Sequence, residues 1–298
     1  MDETESLAVE RARERIRSGG LKVKKRFGQH YLTDGRVLEK IIGAADLEKC
    51  DCVLEVGPGL GTLTKELAKR AGSVCAVELD FENADLLERE FHDHGNVKII
   101  RGDILKTDID GILSGCAGGA LKTVANLPYN IATQVIMRLL EGATRFESVV
   151  VMVQKEVAER FTARPGTKEY GALTVCAAHY ASASIEAYVP RNCFYPRPNV
   201  DSAVIKLTPH YESDLECDGD WLFRVVRAAF GQRRKTIENA LSAGGRLGIG
   251  KEEAAQSLAR SSLPRGVRGE TLSLGEFKRL ARELAKFREA GAEAGGTD

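Results

Sequence analysis

Short apolar runs alternating with segments of helical period predict a doubly wound, Rossmann-like α/β fold with a small helical domain at its C-terminal end. Three observations carry this. The run Ser148 to Val153 is apolar almost throughout, as expected of a strand covered on both faces of a parallel sheet. Gly57-Pro58-Gly59-Leu60-Gly61 forms a glycine-rich turn between a β-branched run and a helix. Past Pro209 the alternation stops, and the remaining pattern is helical.

Cys52 to Val56 reads as the strand entering the glycine turn, and Leu63 and Leu67, four apart, mark the helix leaving it. Val74 to Leu79 is the next strand, followed by a helix that uses Ala84, Leu87 and Phe91. Val97 to Ile100 and Leu121 to Ala125 are further strands, and Ile131, Val135 and Leu139 place a helix after the second. Ile185 to Val189 and Val200 to Leu207 close the sheet. Helices are then expected over Trp221 to Phe230, 234–243, 251–260 and 273–288, the last opened by the capping box Ser273-Leu274-Gly275-Glu276. These boundaries give a flexible basic segment over 1–20, an α/β domain over 21–209, a helical domain over 210–288 and a flexible tail over 289–298.

Composition excludes several classes. With 43% hydrophobic and 29% charged residues the chain is neither disordered nor a disulfide scaffold. No apolar run is long enough to span a bilayer, and the charged N-terminus has no secretory h-region. The 7 cysteines fall mostly singly, with no CxxC pair, which reads as reduced thiols in a cytoplasmic protein. Net charge is zero but uneven. Residues 11–36 carry nine Lys or Arg against Glu14 and Asp34, residues 37–115 are acidic, and 221–240 are basic again through Arg224, Arg227, Arg233, Arg234 and Lys235. Basic segments flanking an acidic body suit a polyanionic partner, although solvated helix faces give the same counts.

The spacing of the glycine turn is GxGxG, which weakens a dinucleotide reading. Glu78 ends the next strand, 21 residues past Gly57, where a carboxylate can accept both hydroxyls of a ribose. Asp103 follows the third strand and can accept from the amine of an adenine; it can equally cap a turn. No Lys follows the glycines to clamp a phosphate, so S-adenosylmethionine fits the three strand ends better than a nicotinamide cofactor.

The most specific feature is Asn126-Leu127-Pro128-Tyr129 at the end of a strand. Pro128 removes an N–H and keeps Leu127 out of the helical region, turning carbonyls outward. That suits methylation of a conjugated amine, whose lone pair is withdrawn into the ring. Acceptors at the Asn126 side-chain oxygen and the Leu127 carbonyl would favour a more tetrahedral, more nucleophilic nitrogen. The Tyr129 ring would fix the line of approach of a flat base. A strand-end turn with a packed tyrosine is the plainer alternative.

The chain resembles the KsgA family of small-subunit ribosomal RNA adenine dimethyltransferases. The resemblance rests on Lys25-Arg26-Phe27-Gly28-Gln29-His30-Tyr31-Leu32, on Leu54 to Gly61, on Asn126-Leu127-Pro128-Tyr129, on Phe194 to Val204, and on Phe230-Gly231-Gln232-Arg233-Arg234-Lys235-Thr236. It implies that Gln29, His30 and Leu32 cover the methionine side of the cofactor. Gly57 and Gly59 would approach it, Glu78 hold its ribose, Asp103 its adenine, and Asn126 touch both cofactor and target amine. Tyr129 and Phe194 would sandwich the target base, which must leave its stack. Lys24, Lys25, Arg26, Arg233, Arg234 and Lys235 would contact phosphates without reading sequence. The implied reaction is dimethylation at N6 of two adjacent adenosines near the 3′ end of the small-subunit RNA by a monomeric, metal-free enzyme. His30 stands where many members have Asn. A large-subunit RNA methyltransferase, a non-catalytic assembly factor and a nicotinamide oxidoreductase are the competing readings. His92-Asp93-His94 has no further ligands at zinc spacing and reads as a solvated turn.

Overall fold

In the parallel part of the sheet each strand is followed by a helix that returns the chain to the same edge, as right-handed crossovers require. The computed structural model describes residue 14 and residues 28–116, 118–211, 219–245 and 247–294. The described strands are β1 (Tyr31–Leu32), β2 (Cys52–Val56), β3 (Ser73–Glu78), β4 (Val97–Arg101), β5 (Leu121–Asn126), β6 (Ser148–Gln154), β7 (Ala181–Val189), β8 (Phe194–Tyr195) and β9 (Ser202–Pro209). The α-helices among these residues, apart from residue 14, are α1 (Gly35–Ala45), α2 (Thr62–Arg70), α3 (Phe81–Glu90), α4 (Ile109–Leu113), α5 (Ala132–Glu141), α6 (Lys155–Phe161), α7 (Ala172–Tyr180), α8 (Gly219–Gly231), α9 (Ile237–Ser242), α10 (Lys251–Arg260) and α11 (Leu274–Ala294).

Seven strands form one sheet in the order β4-β3-β2-β5-β6-β9-β7. Strands β4 to β6 of that order are parallel, whereas β9 runs antiparallel to β6 and β7 antiparallel to β9. Residues Val149 to Val153 of β6 are fully buried, which explains their unbroken apolar sequence. Edge strand β7 instead alternates between buried or partly buried and exposed positions. Chain order reverses between β2 and β5, so their carboxyl ends border the crevice where α/β sheets bind ligands.

Helix α1 packs Val37, Leu38, Ile41 and Ile42 into the same core as Val53, Val124 and Val150. Asp34 caps it by accepting the Arg36 N–H at 2.9 Å. A short ribbon, β1 paired antiparallel with β8, matches Tyr31 to Tyr195 and Leu32 to Phe194.

The chain forms two compact units. One contains the described residues up to Glu159 together with Ala181–Pro209; the other contains Arg160–Tyr180 and the residues from His210 onward. A single boundary at 209 therefore misplaces Arg160–Tyr180. The reason lies in its contacts: Tyr170 Oη donates to Leu272 O at 2.6 Å, and His179 meets Phe223 edge-on. Within this second unit Trp221 Nε1 donates to Ala281 O, and Phe277, Leu280 and Leu284 are fully buried. The capping box forms, with the Ser273 N–H donating to Glu276 Oε2 at 2.7 Å and the Glu276 N–H donating to Ser273 Oγ at 3.3 Å. Helix α11 continues to Ala294, past the expected end at 288. Apart from residue 14, the segment 1–20 lies outside the described residues, as do 295–298.

One cysteine expectation fails. Cys52 and Cys116 are joined in a disulfide, 64 residues apart in sequence. The pairing of Cys52 with Leu121, and the Cys52 N–H donating to Ala120 O at 2.9 Å, bring the segment before β5 alongside the start of β2. Cys50, Cys75, Cys176 and Cys193 are not joined in disulfides, and Cys217 lies outside the described residues.

Candidate active site

A cleft of about 200 Å³ opens at the carboxyl ends of β2, β3 and β5 and is closed on one side by Gly28 to Leu32. The glycine turn makes its floor. Gly57, Gly59 and Gly61 have φ of 67°, 58° and 74°, a region that favours glycine. At Gly59 a Cβ would also lie 3.0 Å from Tyr31 Cε1. The turn is held from both sides, since the Gly57 N–H donates to Val77 O and the Gly61 N–H to Pro58 O, each at 2.9 Å.

Glu78 is 5% exposed and lines the cleft. Its Oε2 accepts the Gly59 N–H at 2.9 Å and its Oε1 the Asp80 N–H at 2.8 Å. Burial raises its pKa, against these backbone donors. A carboxylate has about four acceptor sites, more than these donors fill. Asp80 in turn accepts Gln29 Nε2 at 3.1 Å. Asp103 Oδ1 accepts the Leu105 N–H at 3.0 Å, giving the turn that capping chemistry predicts, and the residue still lines the cleft. Arg138, from α5, fixes that turn by donating to the carbonyls of Leu105 and Thr107.

The Asn126 corner is pinned at three points. Asn126 Nδ2 donates to His30 O at 3.1 Å. Because a carbonyl only accepts, the amide nitrogen must face His30, and Oδ1 is left without a partner among the described residues. The Leu127 N–H donates to Met152 O at 3.1 Å, while the Leu127 carbonyl takes no hydrogen bond among those residues. Tyr129 stacks on His30 with ring centroids 5.3 Å apart, and its hydroxyl lies 2.6 Å from Ser202 Oγ. Burial raises the Tyr129 pKa, so the phenol stays neutral. His30 Nδ1 donates to Pro196 O at 2.7 Å, so the imidazole is itself held.

The cleft therefore gathers Gln29, His30, Leu32, Gly57, Gly59, Glu78, Asp103, Asn126, Leu127 and Tyr129. Phe194 is not brought there. It is 4% exposed and belongs to the hydrophobic core with Leu32, Cys193 and Val204. Successive strand residues point to opposite faces, and in the β1–β8 register Phe194 takes the core side. Arg233 is likewise engaged, donating to Glu270 Oε2 at 2.8 Å and to Lys168 O at 2.8 Å, whereas Arg234 and Lys235 are exposed. Lys24, Lys25 and Arg26 lie outside the described residues. His92 to His94 form an exposed turn after α3.

Tyr31 and Glu55 are among the lining residues that escaped the sequence reading. Tyr31 lies beneath Gly59, and burial pushes its pKa up to about 12. Glu55, in the strand before the glycines, is 1% exposed, and its Oε2 has no partner among the described residues. An acidic residue inside an apolar strand was the available signal for it.

Sheet order, glycine floor, ribose-sized carboxylate and free amide oxygen define a Rossmann-like methyltransferase whose donor is nucleoside-based; these residues fit S-adenosylmethionine. The comparisons with known proteins give the family. Residues 20–285 match the family model described as ribosomal RNA adenine dimethylase. The chain belongs to this family. It is 46% identical over 276 residues to the ribosomal RNA small subunit methyltransferase A of Moorella thermoacetica, covering 90% of this chain and 95% of the relative. It is 45% identical over 261 residues to the protein of that name from Lachnoclostridium phytofermentans, covering 87% and 90%. Among solved structures, a dimethyladenosine transferase from Plasmodium falciparum superposes with a TM-score of 0.71 at 26% identity, covering 87% of this chain and 98% of that one. The 23S rRNA methyltransferase ErmE gives 0.65 at 26% identity, covering 86% and 99%.

Glu55 supplies a test of the cleft's electrostatics. Burial, opposed by Thr64 and reinforced by the charge of Glu78, pushes its pKa from an ordinary 4.5 up to about 8. The folded carboxyl therefore keeps a proton that the unfolded chain loses. Its contribution to stability is full below about pH 4.5 and is lost as pH rises towards 8. Thermal melts across this range should show the wild type losing stability relative to Glu55→Gln as pH increases. A constant difference would contradict this assignment.

Proposed function

We propose that this enzyme dimethylates N6 of two adjacent adenosines near the 3′ end of small-subunit ribosomal RNA. The observation that carries the reading is the unpartnered Asn126 Oδ1 beside the unpartnered Leu127 carbonyl, two acceptors at one strand end. S-adenosylmethionine supplies a methyl group on a positively charged sulfur. Glu78 accepts the ribose hydroxyls, Asp103 the adenine amine, and Gln29, His30 and Leu32 cover the remainder. Oδ1 of Asn126 and the Leu127 carbonyl accept the two hydrogens of the target amine, drawing its lone pair out of conjugation and towards the methyl group. The proton leaves after the nitrogen has become cationic, so no strong base is needed. Tyr129, with one face against His30 and its hydroxyl at Ser202, offers its other face to the base, and such alignment is a large catalytic term. Phe194 serves from below as core support rather than as a second stacking surface.

Exposed Arg234 and Lys235 are assigned to RNA phosphates, together with Lys24, Lys25 and Arg26. The small-subunit reading follows the names of the relatives, which act as methyltransferases of that subunit. No described helix is long and apolar enough to cross a membrane. We place the enzyme in the cytoplasm with the assembling subunit, acting as a monomer.

Three measurements check this. Labelled methyl groups should pass to unmethylated small subunits, not to large ones, and appear as N6,N6-dimethyladenosine. Asn126→Ala should lower the rate by about 100-fold or more, as loss of a preorganised polar group does; label on large subunits would overturn the substrate. Replacing Arg234 and Lys235 together should reduce the slope of log affinity against log salt by about 1.5 while leaving the melting temperature unchanged. Arg233→Ala should instead lower the melting temperature, because it removes the Glu270 pair.

A further inference from the structure

Three cysteines from separate segments meet at the far end of the sheet from the cleft. Cys52 opens β2, Cys75 lies within β3, and Cys116 sits in the connection between α4 and β5. Their sulfur atoms all lie within 4.8 Å of one another. Cys52 and Cys75 are buried, and Cys116 is partly exposed, so the cluster has one side open to solvent. None of the three residues lines the cleft.

We propose that, once the Cys52–Cys116 bond is reduced, Cys52, Cys75 and Cys116 form a trithiolate site for a thiophilic cation, with zinc as its representative. Thiolate ligands about 2.3 Å from zinc in tetrahedral geometry stand about 3.8 Å apart, within the spread of this cluster. Reduction by a dithiol passes two electrons to the disulfide: the bond between Cys52 and Cys116 breaks, each sulfur takes up a proton, and the reductant leaves as its own disulfide. Binding then replaces three S–H protons by three metal–sulfur bonds and releases the protons. A trithiolate zinc carries one net negative charge. The fourth position faces solvent beside Cys116, where Ser73 Oγ is 3.7 Å from the sulfur. A cation here would tie the α4–β5 connection to β2 and β3, as the disulfide ties it to β2 under oxidation. Oxidation and metal binding thus exclude each other.

The full-length protein is reduced, freed of metal, loaded with zinc or cobalt, and passed over a chelating column. The proposal expects one ion per chain, thiolate-to-cobalt charge-transfer absorption corresponding to three sulfurs, and no uptake by the oxidised protein. Cys75→Ser should lose the retained ion, and so should Cys116→Ser, whose partly exposed position makes it the milder change. A variant with Cys50, Cys176, Cys193 and Cys217 all replaced by serine should keep it. Circular dichroism establishes that each variant is folded. Absence of retained metal in the reduced wild type, retention in folded Cys75→Ser or Cys116→Ser, or loss in the fourfold variant would overturn the site.

Discussion

The hydrogen bond from Asn126 Nδ2 to the His30 carbonyl, 3.1 Å long, joins the end of β5 to the segment that closes the cleft. It does two things at once. It fixes the position of His30, on which Tyr129 stacks and which in turn donates to Pro196 O. It also decides the orientation of the Asn126 amide, since the atom facing a carbonyl must be a donor. Without this bond the amide could turn over and present hydrogens to the cleft in place of an acceptor oxygen.

The sheet makes this arrangement possible. Parallel pairing of β2, β3 and β5 brings three strand ends to one edge, and each delivers a different element: the glycine turn, the Glu78 carboxylate and the Asn126 amide. Glu78 and Glu55 are buried in the wall of the cleft, and that burial raises the pKa of both. The low dielectric strengthens hydrogen bonds that form there and makes unsatisfied groups costly, so the unpartnered Glu55 and Asn126 oxygens favour a bound ligand.

Much of the site was legible because it is local. The glycine turn, Glu78, Asp103 and Asn126-Leu127-Pro128-Tyr129 each sit at a strand end that the nearby residues announce. What escaped depends on distant partners. The face of Phe194 is set by pairing with Leu32, 162 positions earlier in the chain, and a two-residue ribbon leaves no periodicity to read. The disulfide needs the β2–β5 register, and the place of Arg160–Tyr180 needs the helices that follow Pro209. Helix α1 was not anticipated either, although Asp34 and the spacing of Val37, Leu38, Ile41 and Ile42 announce it. Charge counts also misled at Arg233, since a basic run does not reveal which member is held by Glu270.

The most direct test of the account is Asn126→Asp, measured as single-turnover methyl transfer alongside cofactor binding. The aspartate keeps an acceptor oxygen and nearly the same shape but cannot donate to His30 O. Transfer lost as completely as in an alanine variant, with the cofactor still bound, is the result predicted here. Transfer near the wild-type rate would mean that an acceptor alone suffices, and that the bond to His30 does not set the chemistry.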